Sequence, residues 1–397
     1  MGKGILAAAL AGILVASPGI GQTKYAQGVS DSEIKIGQTV PYSGPASAFA
    51  IIGKTHAAYF KMVNDNGGIN GRKVNLISLD DAFSPPKTVE ATRRLVEQDN
   101  VWFTFGSIGT AAQSAVQKYL AGKRVPQLFL SGASKWNNPS EFPLSMPIAA
   151  LYTTEGEIYG KYIVSAYPQA KVGVLYQNDD FGKDFVAGLK KGLGARAQTM
   201  IVKEAPFELA EPTLDQQVLS LRQGGADVLV DISVGKQTAQ VIRKLADLAW
   251  KPTHFVVSTS IGKPILEAAG VPNAIGIISA TPYKLIGGGA FADDAEVLAY
   301  KAFMTKYMPG EVQDNEIGFI AYSWAKFLHD IIKSMGNDLT VDSLMARFTN
   351  LKNAPSVALL PGISYTTTPT DYAPVKRLRL QRFNGTGWDA IQLVGAD

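Results

Sequence analysis

Short apolar runs alternate with segments of helical period along most of this chain, and that alternation restricts its fold more than any other feature. Residues 34–40, 74–79, 101–105 and 125–130 read as strands, the last two mostly apolar on both faces. Helical stretches at 46–66, 87–98 and 111–121 separate them. The alternation then restarts, with strands at 171–176, 226–232, 254–257 and 275–280 and helices at 181–193, 214–223 and 237–248. Strands alternating with helices predict parallel sheets built from helical crossovers. Two such series in 397 residues predict two α/β lobes, each with its own core. Farther on, Val297, Tyr300, Met304 and Tyr307 share a helical face. Ile317, Ile320, Ala321, Trp324, Leu328, Ile331 and Met335 share another, so their aromatics are expected in packing. The tail alternates apolar and polar from Val375 to Phe383, turns at Asn384-Gly385 and resumes at Trp388, which predicts a hairpin.

The N-terminus sets the expected compartment. Lys3 precedes a run of about twelve apolar residues, Ile5 to Ala16, and Pro18, Gly19 and Gly21 then break any helix. This is the pattern of a secretory signal peptide over residues 1–21, with the mature chain starting between Gln22 and Gln27. The run is shorter than the roughly 20 residues of a bilayer span. An exported, periplasmic protein is therefore expected. The chain has no cysteine, which excludes disulfides, thiolate nucleophiles and cysteine metal sites. Its net charge of +4 is carried by scattered Lys and Arg, so no nucleic-acid-binding stripe forms.

Catalytic signatures are missing. Ala48–Thr55 ends like a phosphate-binding loop, but its bulky interior cannot bring backbone N–H groups onto an anion. His56, His254 and His329 follow no zinc spacing, and no nucleophile elbow occurs. Asp80-Asp81 and Asp179-Asp180 stand at strand ends, where carboxylates cap helices. A binding role without metal or cofactor is expected, rather than an enzyme.

Ligands of open α/β sheets sit at the carboxyl ends of the strands. Three such ends in the first series carry small hydroxyl or glycine residues. They are Tyr42-Ser43-Gly44-Pro45, Gly106-Ser107-Ile108-Gly109-Thr110 and Ser131-Gly132-Ala133-Ser134. Helices following them would turn backbone N–H groups toward an anionic group.

The order of segments also resembles the leucine/isoleucine/valine-type periplasmic binding proteins. Ile34-Lys35-Ile36-Gly37, Tyr42-Ser43-Gly44-Pro45 and Asn66-Gly67-Gly68-Ile69-Asn70-Gly71-Arg72 carry the likeness. Asp80-Asp81, Val125-Pro126, Asp180-Phe181-Gly182 and Gly224-Gly225-Ala226-Asp227 continue it across nearly the whole mature chain. The resemblance implies the type I periplasmic binding protein fold, two three-layer α/β lobes with mostly parallel sheets joined by three crossovers. It places lobe one at 27–148 with 282–357 and lobe two at 149–281 with 358–397. Crossings would fall near Ala149, Thr281 and Val357, and closure would be a hinge motion about them. It also implies delivery to the membrane permease and ATPase subunits of an ABC importer, with the receptor a monomer.

Carried over position by position, the resemblance puts a ligand carboxylate against Thr110, Gly132 and Ser134, with Ile108 and Gly109 supplying backbone. Tyr42 and Ser131 belong to the same loops. Phe49 and Phe181 match aromatic positions, and Tyr152 lies just past the first crossing. One departure matters: the acid that holds the ammonium of amino-acid ligands is replaced by Thr259. A second aromatic position, near Val234, is lost as well. Trp136 adds an aromatic to the third loop, and Lys135 offers a charge or is simply solvated. The expected ligand is a small carboxylate, aromatic favoured, without an essential ammonium. Branched-chain or other amino acids remain the alternative ligands. A sensor of the same fold and an exported α/β hydrolase remain as alternative roles.

Overall fold

The computed structural model describes Met1 and residues 25–395, so the predicted signal segment lies outside the described residues. Two sheets organise the chain. The first has five strands in the order β2-β1-β3-β4-β5: β1 (Glu33–Val40), β2 (Lys73–Asp80), β3 (Phe103–Phe105), β4 (Gln127–Leu130) and β5 (Ser145–Pro147). All its pairings are parallel. Ile34, Ile36, Phe103, Phe105 and Leu128 are buried within it, as parallel strands covered on both faces require.

The second sheet has seven strands in the order β12-β11-β10-β9-β8-β6-β7. β6 (Val172–Gln177), β7 (Ile201–Phe207), β8 (Val228–Ile232), β9 (Thr253–Val256) and β10 (Ile278–Thr281) run parallel. The tail hairpin of β11 (Arg377–Phe383) and β12 (Trp388–Gly395) adds antiparallel to β10. This mixed α/β arrangement, with parallel pairing dominant, is the one expected from the alternation.

Five helices position the site: α1 (Ala50–Asp65), α2 (Pro85–Glu97), α3 (Thr110–Gly122), α4 (Tyr152–Ala166) and α5 (Asp180–Leu193). The segment after β10 turns back onto the first sheet's helices. Tyr59 of α1 meets Phe303 and Tyr322 with ring centroids 6.3 and 5.3 Å apart.

Several elements escape the periodicity reading, and three of them bear on the site and its surroundings. β5 spans three residues and stops at Pro147. β7 is an edge strand with exposed Val202, Lys203 and Pro206, and an edge tolerates a proline. α4 carries Gly156 and Gly160, which weaken a helix signal. Those glycines serve packing instead. A Cβ at Gly156 or Gly160 would strike the carbonyls of Phe185 or Leu189 in α5, and one at Gly188 or Gly192 would strike those of Thr153 or Glu157 in α4. The two helices therefore cross backbone to backbone, and the start of α4 is held rigidly beside α5.

Candidate functional site

In each sheet, neighbouring strands feed their crossovers in opposite directions at one point, β1/β3 in the first and β6/β8 in the second. Loops leaving the carboxyl ends of such strands splay apart and leave a crevice. The two crevices share a cavity of about 340 Å³. Phe49, Ile108, Gly109 and Thr110 reach it from the first switch point, and Asn178, Asp179, Phe181 and Val234 from the second.

One wall is the N-terminus of α3. Gly109, at φ +98°, turns the chain into the helix, and a Cβ there would press on the Phe83 ring. No side chain caps α3, so the first-turn N–H groups of Thr110, Ala111 and Ala112, all cavity-lining residues, keep free hydrogen-bonding capacity. The Thr110 hydroxyl lies 3.5 Å from the Ser131 hydroxyl and 3.4 Å from the Tyr152 hydroxyl. Tyr152 is fixed by stacking on Phe185 at 4.8 Å and by an edge contact with Phe181 at 4.9 Å. Burial pushes its phenol up to about 12, so it stays protonated and able to donate. Gly132 completes this wall, because a Cβ there would strike the Ala150 carbonyl and the Tyr152 ring. An uncapped helix N-terminus ringed by hydroxyls has the donors to receive an anion.

The remaining walls are apolar or acidic. Ile317, Ile320 and Trp324 overhang the cavity, so the front of that helical stripe faces the site while Ala321 and Leu328 pack behind it. Phe83 also lines it, at φ +60° in a left-handed turn that its sequence does not announce. Glu155, Asp179 and Glu208 also line the cavity, and the described lining contains no Lys, Arg or His. Asp179 caps α5 through the Gly182 N–H.

Glu155 is the most consequential of the lining residues that the sequence does not single out. It lies in the first turn of α4, where an acidic residue reads as ordinary helix-end chemistry. Its Oε1 accepts from the Tyr159 hydroxyl at 2.6 Å and the Ser258 N–H at 2.7 Å, and its Oε2 from the Ser258 hydroxyl at 2.6 Å. Burial lifts its carboxyl to about 7 despite those donors.

A family model described as periplasmic binding protein matches residues 33–387. The chain belongs to that family. The Leu/Ile/Val-binding protein homolog 1 of Brucella abortus is 24% identical over 263 residues, covering 62% of this chain and 67% of that protein. Among solved structures, a substrate-binding periplasmic protein from Ralstonia solanacearum superposes with a TM-score of 0.79 at 22% identity, covering 90% of this chain and all of that one. An ABC-transporter solute-binding protein from R. palustris, solved in complex with benzoate, gives 0.77 at 18% identity, over 92% of this chain and 97% of that one. These neighbours have the type I periplasmic binding protein fold with two lobes, and this chain shares it.

Of the positions singled out from sequence, Phe49, Ile108, Gly109, Thr110, Ser131, Gly132, Tyr152, Phe181 and Thr259 line the cavity, as does Val234. Three do not. Tyr42 turns away and bonds the Ser78 hydroxyl at 2.7 Å. Ser134 is occupied by Asp184, through its N–H at 2.6 Å and its hydroxyl at 2.7 Å. Trp136 is fully buried in the core, because the short 3₁₀ turn Ser134–Trp136 folds it inward. Lys135 pairs with Asp180 at 3.2 Å. The phosphate-loop decoy lies within a 3₁₀ turn and α1, and Lys54 there pairs with Glu311 at 2.8 Å. The acidic side was expected to be empty at Thr259, but Glu155 reaches the same wall through Ser258.

Proposed function

We propose that this periplasmic binding protein is the receptor of an ABC importer and captures a small organic carboxylate between its lobes. The observation that carries this reading is the α3 N-terminus. It is uncapped and ringed by the Thr110, Ser131 and Tyr152 hydroxyls. No Lys or Arg competes for the carboxylate, and Phe49, Phe181 and Trp324 offer flat apolar faces to an aromatic body. The benzoate complex of a protein with this fold agrees with that choice.

In this reading lobe one comprises 27–148 with 282–357, lobe two 149–281 with 358–397, and hinges near Ala149, Thr281 and Val357 close the cleft on the ligand. The exported monomer then hands its cargo to a membrane permease driven by an ATPase. Amino-acid binding is the second reading, favoured by the carboxylates of the lining. A thermal-shift panel separates the two, since a ligand bound only by the folded state raises the melting temperature. Benzoate or cinnamate types should stabilise the protein. Strong stabilisation by leucine or valine, with none by aromatic acids, would overturn the choice.

A further inference from the structure

Glu155 is a buried carboxyl on a ligand cavity with no cationic partner. It is 3% exposed, and all three of its hydrogen-bond partners are neutral: the Tyr159 hydroxyl and the Ser258 N–H and hydroxyl. A carboxylate has about four acceptor positions, so one on Oε2 is left over. Burying an acceptor with unmet capacity is costly, and burying a charge without a counter-charge more so. Relaxation away from the cavity is blocked, because neighbouring Gly156 abuts the α5 backbone and Ser258 grips both oxygens. Asp179 and Glu208 also line the cavity.

We infer that Glu155 is a specificity-determining residue that takes an N–H or O–H donor from the end of the ligand opposite its carboxylate, and that this wall rejects a second carboxylate. The inference rests on the reading of α3 as the carboxylate end. It narrows the ligand to a monocarboxylate bearing a hydrogen-bond donor on its body. A dicarboxylate would place like charge against the three acids, with no cation to offset it.

Calorimetric titration of the full mature protein with matched probes tests this. Benzoate, 4-hydroxybenzoate, 4-(aminomethyl)benzoate and terephthalate form one set; pentanoate and 5-hydroxypentanoate, whose hydroxyl lies at the far end from the carboxylate, form another. In the wild type the donor-bearing member should bind at least about tenfold tighter than its donor-free partner, the scale of one hydrogen bond to a charged group. Terephthalate should bind more weakly than benzoate. 4-Hydroxybenzoate against 4-(aminomethyl)benzoate separates a neutral donor from a cationic one. In Glu155→Gln the amide turns an N–H toward the cavity, so the donor advantage should vanish and the handicap of terephthalate should shrink. Equal affinity within each matched pair in the wild type overturns the inference and leaves the carboxylate reading standing. Binding of no carboxylate in either set overturns both. If Glu155→Gln does not fold, the wild-type ratios alone decide.

Discussion

Ser134 holds the Asp184 carboxylate with two hydrogen bonds, from its N–H at 2.6 Å and from its hydroxyl at 2.7 Å. Ser134 follows β4 of the first sheet, and Asp184 lies in α5 beside the second. Lys135 and Ser114 reach Asp180, one turn earlier on the same helix, at 3.2 and 3.5 Å. Together they tie loops of the first half to α5. Ser134→Ala removes one of the two bonds to a largely buried carboxylate, worth about 1–2 kcal/mol. Ligand dissociation in stopped flow should speed up by roughly tenfold with little change in association. An unchanged off-rate would show that the tie does not restrain ligand release.

Thr110→Ala removes a hydroxyl from the anion wall and leaves α3 intact. Binding of a carboxylate ligand should weaken by roughly 1–3 kcal/mol, read by calorimetry. Unchanged affinity would move the carboxylate elsewhere in the cavity.

Glu155 links stability to pH. Its carboxyl titrates near 4.5 in the unfolded chain and at about 7 in the folded one, so the folded state binds more protons between those values. Stability from this group is fully present below 4.5 and is lost as pH rises through 7, by about 3 kcal/mol in total. Glu155→Gln should remove that loss, so its melting temperature should gain on the wild type between pH 5 and pH 8. A constant difference across that range would contradict the assignment.

His56 works in the opposite sense. It is fully buried beside Gln38, whose amide nitrogen lies 2.7 Å from Nδ1, and burial depresses its pKa from 6.5 to about 3. The stability it confers is present above pH 6.5 and declines as pH falls toward 3, because the unfolded chain takes up the proton first. His56→Gln should flatten acid unfolding below pH 6 in denaturant titrations, even if it lowers stability at neutral pH. An acid limb as steep as that of the wild type would place the sensitivity elsewhere.

The backbone contact of α4 and α5 makes a packing prediction. Gly156→Ala drives a methyl into the Phe185 carbonyl, and neither helix can give way without moving Tyr152 and Glu155. A loss of about 2–3 kcal/mol is expected from urea unfolding. A change under 0.5 kcal/mol would mean that the crossing is looser than it is drawn.

The alternation of strands and helices was readable because buried parallel strands are apolar throughout and their crossovers keep a helical stripe. β7 was hidden by its edge position, and α4 by glycines whose value lies in another helix. Thr110, Ser131 and Gly132 could be picked out because they sit at predicted strand ends. Ser134 could not be sorted from them, since its partner Asp184 lies 50 residues away. For the same reason Thr259 looked like a missing acid. The acid on that wall is contributed by α4, and only the folded chain brings Glu155 to Ser258, 103 residues on.

Native mass spectrometry of the protein as purified, followed by release and identification of whatever it carries, is the decisive measurement. A small monocarboxylate with a hydrogen-bond donor on its body is the predicted cargo, lost when Thr110 is replaced by Ala. A bound molecule with no carboxylate would contradict the α3 anion site, and a dicarboxylate would contradict the rejection of a second carboxylate at Glu155.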